Sequence, residues 1–115
     1  MKTIVAGSRT ITNSKCLEEA IACSQIPITE IVSGGAKGVD TLAIAYAQQH
    51  QIPLTIMRAN WDKFGKSAGF KRNSEMATYA EALIALWDGE SRGTLHMINV
   101  AKERGLRVYT HFLGD

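Results

Sequence analysis

The stretch Ile31-Val32-Ser33-Gly34-Gly35-Ala36-Lys37-Gly38-Val39-Asp40 constrains the fold of this chain more than any other. Two β-branched residues close an apolar run. Glycines and a lysine follow, and a helical pattern starts at once, with Val39, Leu42, Ala43, Tyr46 and Ala47 on one face. This is the pattern of a strand, a glycine turn and a helix N-terminus. Such a turn points backbone N–H groups and the positive end of a helix dipole outward, which suits a phosphate. It equally serves as a tight βα turn whose glycines only supply positive φ.

Strands and helices alternate along the whole chain, with no internal sequence repeat. Strands are expected at residues 2–6, 30–33, 53–57, 82–87 and 107–110. The fourth is nearly all apolar, as in a strand buried on both faces. Thr12, Asn13 and Ser14 offer caps for a first helix that carries Leu17, Ala20, Ile21 and Ser24. The second helix runs from Val39 to about His50. A third passes through Arg72, Met76 and Ala80, and a fourth spans about 94–104 before Gly105. Residues 58–69 read as a loop, long for so small a domain and therefore a functional suspect.

Strict alternation predicts an α/β fold with helices on both faces of a parallel sheet. The expected architecture is a Rossmann-like three-layer sandwich, one domain over residues 1–115, with five parallel strands in the order 3-2-1-4-5. The switch point then falls between strands one and four, where ligands bind beyond the strand C-termini. Topology brings Gly7-Ser8-Arg9, residues 33–40 and residues 88–94 to that edge.

Charge follows the same geography. The net charge is only +2, too little to mark a nucleic-acid protein by itself. Yet Arg9, Lys37, Arg58, Lys63, Lys66, Lys71, Arg72 and Arg92, eight of the thirteen Lys and Arg, follow strand ends or lie in or beside the long loop. That focuses a positive potential on one end of the sheet. Cys16 and Cys23 share a helical face and read as buried or half-buried thiols, too few for a zinc site or a disulfide framework. No metal site, signal peptide or membrane span is expected, and a cytoplasmic location fits.

Within the loops, several residues have both a binding and a structural reading. Ser91-Arg92-Gly93-Thr94 could hold a phosphate, or simply cap a helix. Asp88 could meet a ribose or close the turn at Gly89. Trp61 is a candidate base-stacking platform or a pin for the loop. Trp87 reads as core. Residues 60–67 nearly spell a triphosphate-binding loop, but Asn60 replaces its first glycine, so Lys66 and Ser67 are at most plain donors. His50, His96 and His111 have no readable partner, and neither Ser8 nor Ser33 has a triad around it.

Taken in order, Gly7-Ser8-Arg9, residues 33–40, Trp61 with residues 65–69, Arg72-Asn73, Asp88-Gly89 and Gly93-Thr94 resemble the YspA/YpsA-related SLOG proteins, a branch of the SMF/DprA–LOG superfamily. The resemblance covers nearly the whole chain. It implies a Rossmann-like fold that binds a nucleotide derivative such as an NAD or ADP-ribose relative, as sensor or sequestering protein, often in phage-defence settings. It also implies a homodimer or higher oligomer, no required cofactor, and a site built from Gly7, Ser8, Arg9, Ser33, Gly34, Gly35, Lys37, Ser91, Arg92, Gly93 and Thr94 for phosphate. Asp40 or Asp88 would meet ribose, and Trp61 the base, with Lys66, Ser67, Arg72, Asn73 and Gly89 alongside. A nucleotide N-glycosidic hydrolase is the alternative. The phosphoribohydrolase cousins, however, place a glutamate where this chain has Met97, leaving Glu75 or Glu90 as substitutes. Single-stranded DNA binding, as in the DNA-processing relatives, is a second and weaker alternative.

Overall fold

A computed structural model describes residues 1–113. The strands are β1 (Lys2–Gly7), β2 (Glu30–Ser33), β3 (Leu54–Ile56), β4 (Ala82–Trp87) and β5 (Arg107–Phe112). All pair in parallel, in the order β3-β2-β1-β4-β5. The helices are α1 (Ser14–Ser24), α2 (Val39–Gln49), α3 (Trp61–Phe64), α4 (Ala68–Tyr79) and α5 (Arg92–Glu103). This is the expected Rossmann-like sandwich.

Two apolar layers explain why the sheet sits in the middle. Along β1 and β4, successive side chains point to opposite faces. Ile4, Ala6, Leu83 and Ala85 pack with Met76, Ala77, Met97 and Ala101 of α4 and α5. Val5, Ile84 and Leu86 pack with Leu17, Ala20, Val39 and Ala43 of α1 and α2. The two central strands are therefore apolar on both faces, and burying them drives the fold.

Three expectations need correction. Residues 58–69 are not a loop throughout: α3 and a 3-10 turn (Gly65–Ser67) fill most of them, and α4 already starts at Ala68. The reason is Asn60, whose Oδ1 accepts from Lys63 N at 3.1 Å and caps α3. Cys23 is exposed, while Cys16 is half-buried. The buried stripe of α1 is Leu17, Ala20 and Ser24, and both thiols sit about a quarter-turn to one side. Trp87 is only half-buried: its ring packs on the core and its Nε1 donates to Ser91 O at 3.0 Å.

At the switch point β1 and β4 run in register from Thr3 opposite Ala82 to Gly7 opposite Leu86. A Cβ on Gly7 would run into Leu86 O and Val39. Glycine there lets the chain leave the sheet flush against its neighbour and opens room above.

Candidate functional site

The C-terminal edge of the sheet carries a cleft in two connected parts. An inner cavity of about 140 Å³ lies over the end of β1, between α4 and the start of α5. An outer cavity of about 390 Å³ lies over the glycine turn. Arg9, Ala36, Trp61 and Arg72 line both parts.

The glycine turn does not present its amides as expected. Gly35 N donates to Ser33 Oγ at 3.2 Å, Ala36 N to Asp40 Oδ2 at 3.1 Å, and Val39 N to Ser8 O at 3.4 Å. The Gly35 and Ala36 N–H groups are consumed inside the turn and that of Val39 on the loop after β1, so these three are not offered to a ligand. Positive charge comes from side chains instead. Arg72 Nη1 donates to Gly34 O at 2.9 Å, and Arg58 Nη1 to Gly35 O at 3.0 Å. The guanidiniums lie where Cβ atoms of Gly34 and Gly35 would be. Each keeps further N–H donors for a ligand.

Arg72 belongs to a longer polar chain. Its Nε donates to Asn73 Oδ1 at 3.1 Å. Asn73 Nδ2 lies 3.2 Å from both Gly93 O and His96 Nδ1. Because the amide nitrogen donates, His96 Nδ1 accepts, which fixes a neutral tautomer with the proton on Nε2. Burial also pulls the His96 pKa below its ordinary value, against the distant carboxylate of Glu103. Phe70 stacks on the imidazole, with ring centroids 4.3 Å apart. Thus His96 has the partners that its sequence neighbourhood does not reveal.

Asp40 lines the inner cavity but is only 6% exposed. Burial raises its pKa above the ordinary aspartate value, opposed by the Ala36 N–H and by the charges of Arg72 and Arg9. Asp88 takes its capping role: Oδ1 accepts from both Glu90 N and Ser91 N at 2.8 Å, which holds its pKa down. A depressed folded-state pKa stabilises above the unfolded value near 4 and loses that contribution as pH falls through the folded value. Asp88→Asn is therefore expected to melt below wild type at pH 7, with the difference shrinking as pH falls below about 4. A thermal-melt series over that range checks it, and an unchanged difference would refute it.

Other expected site residues divide clearly. Gly7, Ser91, Gly93 and Thr94 line the inner cavity, and Gly34, Gly35 and Lys37 the outer one. Ser91 also caps α5, its Oγ accepting from Thr94 N at 3.3 Å and lying 2.9 Å from Thr94 Oγ1. Ser8 and Ser33 are buried structural hydroxyls: Ser8 Oγ accepts from Asp88 N, and Ser33 Oγ donates to Asp40 O. Ser67 Oγ donates to Phe64 O. Lys66, Ser67, Asp88, Gly89, Glu90 and Arg92 line neither part of the cleft. Glu75 faces a separate depression on the far side of Arg72. The buried Met97 forms part of the inner cavity, and Arg58, Phe70 and Met76 join the cleft without having been expected. Arg58 lies two residues after β3 and belongs to the cations gathered at that end of the sheet, the signal that points to it.

Comparison with known proteins now bears on this geometry. Residues 1–64 match the profile of the YspA, cpYpsA-related SLOG family. The chain belongs to that family. The matched span carries β1 to α3, and hence the glycine turn, Arg9 and Trp61. The chain is also similar to the gene 61 protein of Mycobacterium phage D29, 37% identical over 84 residues, covering 68% of this chain and 67% of that one. Among solved structures it is similar to DNA processing protein A (DprA) from Streptococcus pneumoniae, with a TM-score of 0.74 and 23% identity. That match covers 95% of this chain and 49% of DprA, so the chain spans about half the DprA length and shares its SLOG-type fold. No described helix is long and apolar enough to cross a membrane. Among the described residues no cluster of three metal-ligating side chains occurs.

Proposed function

We propose that the cleft binds a phosphorylated nucleotide derivative of the NAD or ADP-ribose kind, and that the protein acts as its sensor or sequesters it. SLOG membership and the DprA-like fold support a nucleotide- or DNA-related role at the coarse level. The observation that carries the finer reading is the set of guanidiniums of Arg9, Arg58 and Arg72 around a cleft whose rim is an exposed Trp61. Among the described residues none of the three has a carboxylate within 4 Å. Two are held on backbone carbonyls, so their remaining donors are aimed before a ligand arrives. Such donors match phosphate oxygens, and a tryptophan face matches a base.

The carboxylates favour binding over N-glycosidic hydrolysis. Asp40 is buried and engaged with Ala36 N, Glu75 lies beyond Arg72, Glu90 lines neither part of the cleft, and Met97 fills the place of the cousins' glutamate.

The test is a titration of the purified chain with AMP, ADP-ribose and NAD, read by tryptophan fluorescence and by product analysis. A saturable change that disappears in Trp61→Leu, with the nucleotide recovered intact, is the expected result. Release of free base would move the reading to the hydrolase. Binding only to oligo-dT, tightening with length and weakening steeply with salt, would move it to DNA.

A further inference from the structure

Behind the arginines lies the depression faced by Glu75. It holds about 310 Å³ between α3 and α4, and Arg58, Lys63, Lys71 and Arg72 line it together with Phe64. Two of these cations are shared with the cleft, so Arg58 and Arg72 form a wall with a basic cavity on each side.

The lysines are placed by an uncharged surface. Lys63 Nζ lies 5.2 Å and Lys71 Nζ 4.8 Å from the centroid of the Phe64 ring. A ring face attracts a cation without neutralising it. None of the four cations has a carboxylate within 4 Å among the described residues. Four positive charges around one concavity, with only Arg72 drawn to a carboxylate outside it (Asp40), repel one another, and an anion seated among them relieves that repulsion. Glu75 supplies the one carboxylate in the lining.

We infer that the depression between α3 and α4 is a second phosphate subsite. The ligand is then a nucleotide with phosphate groups at two separated positions, one on each side of the Arg58–Arg72 wall. This rests on the nucleotide reading of the cleft for its first phosphate, and on Lys63 and Lys71 for its second.

The test compares AMP with adenosine 3′,5′-bisphosphate by backbone-amide NMR titration of the full chain. Both nucleotides are expected to shift Gly34, Gly35 and Ala36. Only the bisphosphate is expected to shift Asn60, Lys63, Phe64 and Lys71 as well. It should bind roughly tenfold more tightly, the gain of about one charge-assisted contact. The double variant Lys63→Gln/Lys71→Gln, at two exposed positions, should erase that gain and leave AMP affinity unchanged. Glu75→Gln should tighten the bisphosphate alone. Equal affinities, with shifts confined to the glycine turn, would overturn the second subsite and leave the nucleotide reading standing. Shifts confined to α3 and α4 would overturn the nucleotide reading and keep an anion site there. An absence of both sets would overturn both. Bisphosphate binding no better than AMP, with oligo-dT shifting both sets, would overturn the small bis-phosphorylated ligand.

Discussion

Gly38→Ala is expected to destabilise the chain by about 4 kcal/mol, a large part of the roughly 5–15 kcal/mol typical of a domain. Gly38 has φ +78° and ψ −127°, a conformation closed to residues with a Cβ. That strain alone costs about 1–3 kcal/mol. A Cβ there would also sit 2.5 Å from both Ser8 O and Arg9 O, which are backbone atoms and cannot swing away. Ser8 O already accepts from Ile11 N and Val39 N, so moving it disturbs the loop after β1 as well as the start of α2. Forced repacking of this kind adds about 1–3 kcal/mol. Urea unfolding measures the loss, with Gly93→Ala as the control. An added methyl on Gly93 meets nothing within 4 Å, and its φ is not positive. That variant is expected within about 0.5 kcal/mol of wild type. A Gly38→Ala chain as stable as wild type would mean that the two loops are not locked together.

Arg9→Ala is expected to do the opposite, leaving stability alone and removing binding. Arg9 is exposed, lines both parts of the cleft, and has no ion pair within 4 Å among the described residues. Its guanidinium makes no hydrogen bond or ion pair among the described residues and acts on the fold through space, by its attraction for the buried Asp40, so the melting temperature should stay within about 2 °C, as for an ordinary surface change. A lost charge-assisted contact to phosphate, near 3 kcal/mol at the upper end, corresponds to roughly 100-fold in affinity. Arg72→Ala should differ in kind. It strips a donor from Gly34 O and from Asn73 Oδ1, so stability and affinity should fall together. Parallel calorimetric titrations and melts of the two variants separate these outcomes. An Arg9→Ala chain that binds AMP and ADP-ribose as wild type does would remove Arg9 from the site.

The contrast between these arginines marks where the sequence stops being legible. Strand order follows from alternation and from the apolar run of β4, because burial on both faces leaves little other choice. The convergence of loops at the switch point follows from that order. The direction of an amide in the glycine turn does not. Ser33 and Asp40 are residue types that suit a phosphate-binding turn, yet here they turn inward and take the N–H groups of Gly35 and Ala36. Only the three-dimensional path of the chain decides that. Arg58 and Arg72 then replace the amides as the positive element, from positions 23 and 38 residues further along. The link from Asn73 to His96 spans 23 residues between two helices, beyond any local pattern. The helical turns of α3 escape the sequence pattern for a different reason: a segment capped by Asn60 but only four residues long has too little periodicity to register.

The polar chain from Gly34 O through Arg72 and Asn73 to Gly93 O ends on backbone carbonyls at both sides of the cleft. Every amino acid carries that carbonyl, so the frame asks nothing of the exposed side chains around it. Lys37, Glu90 and Arg92 can therefore change over generations without loosening the walls. Lineages that share this scaffold can vary at the rim while keeping Arg72 and Asn73, whose loss would cost the wall and the ligand together.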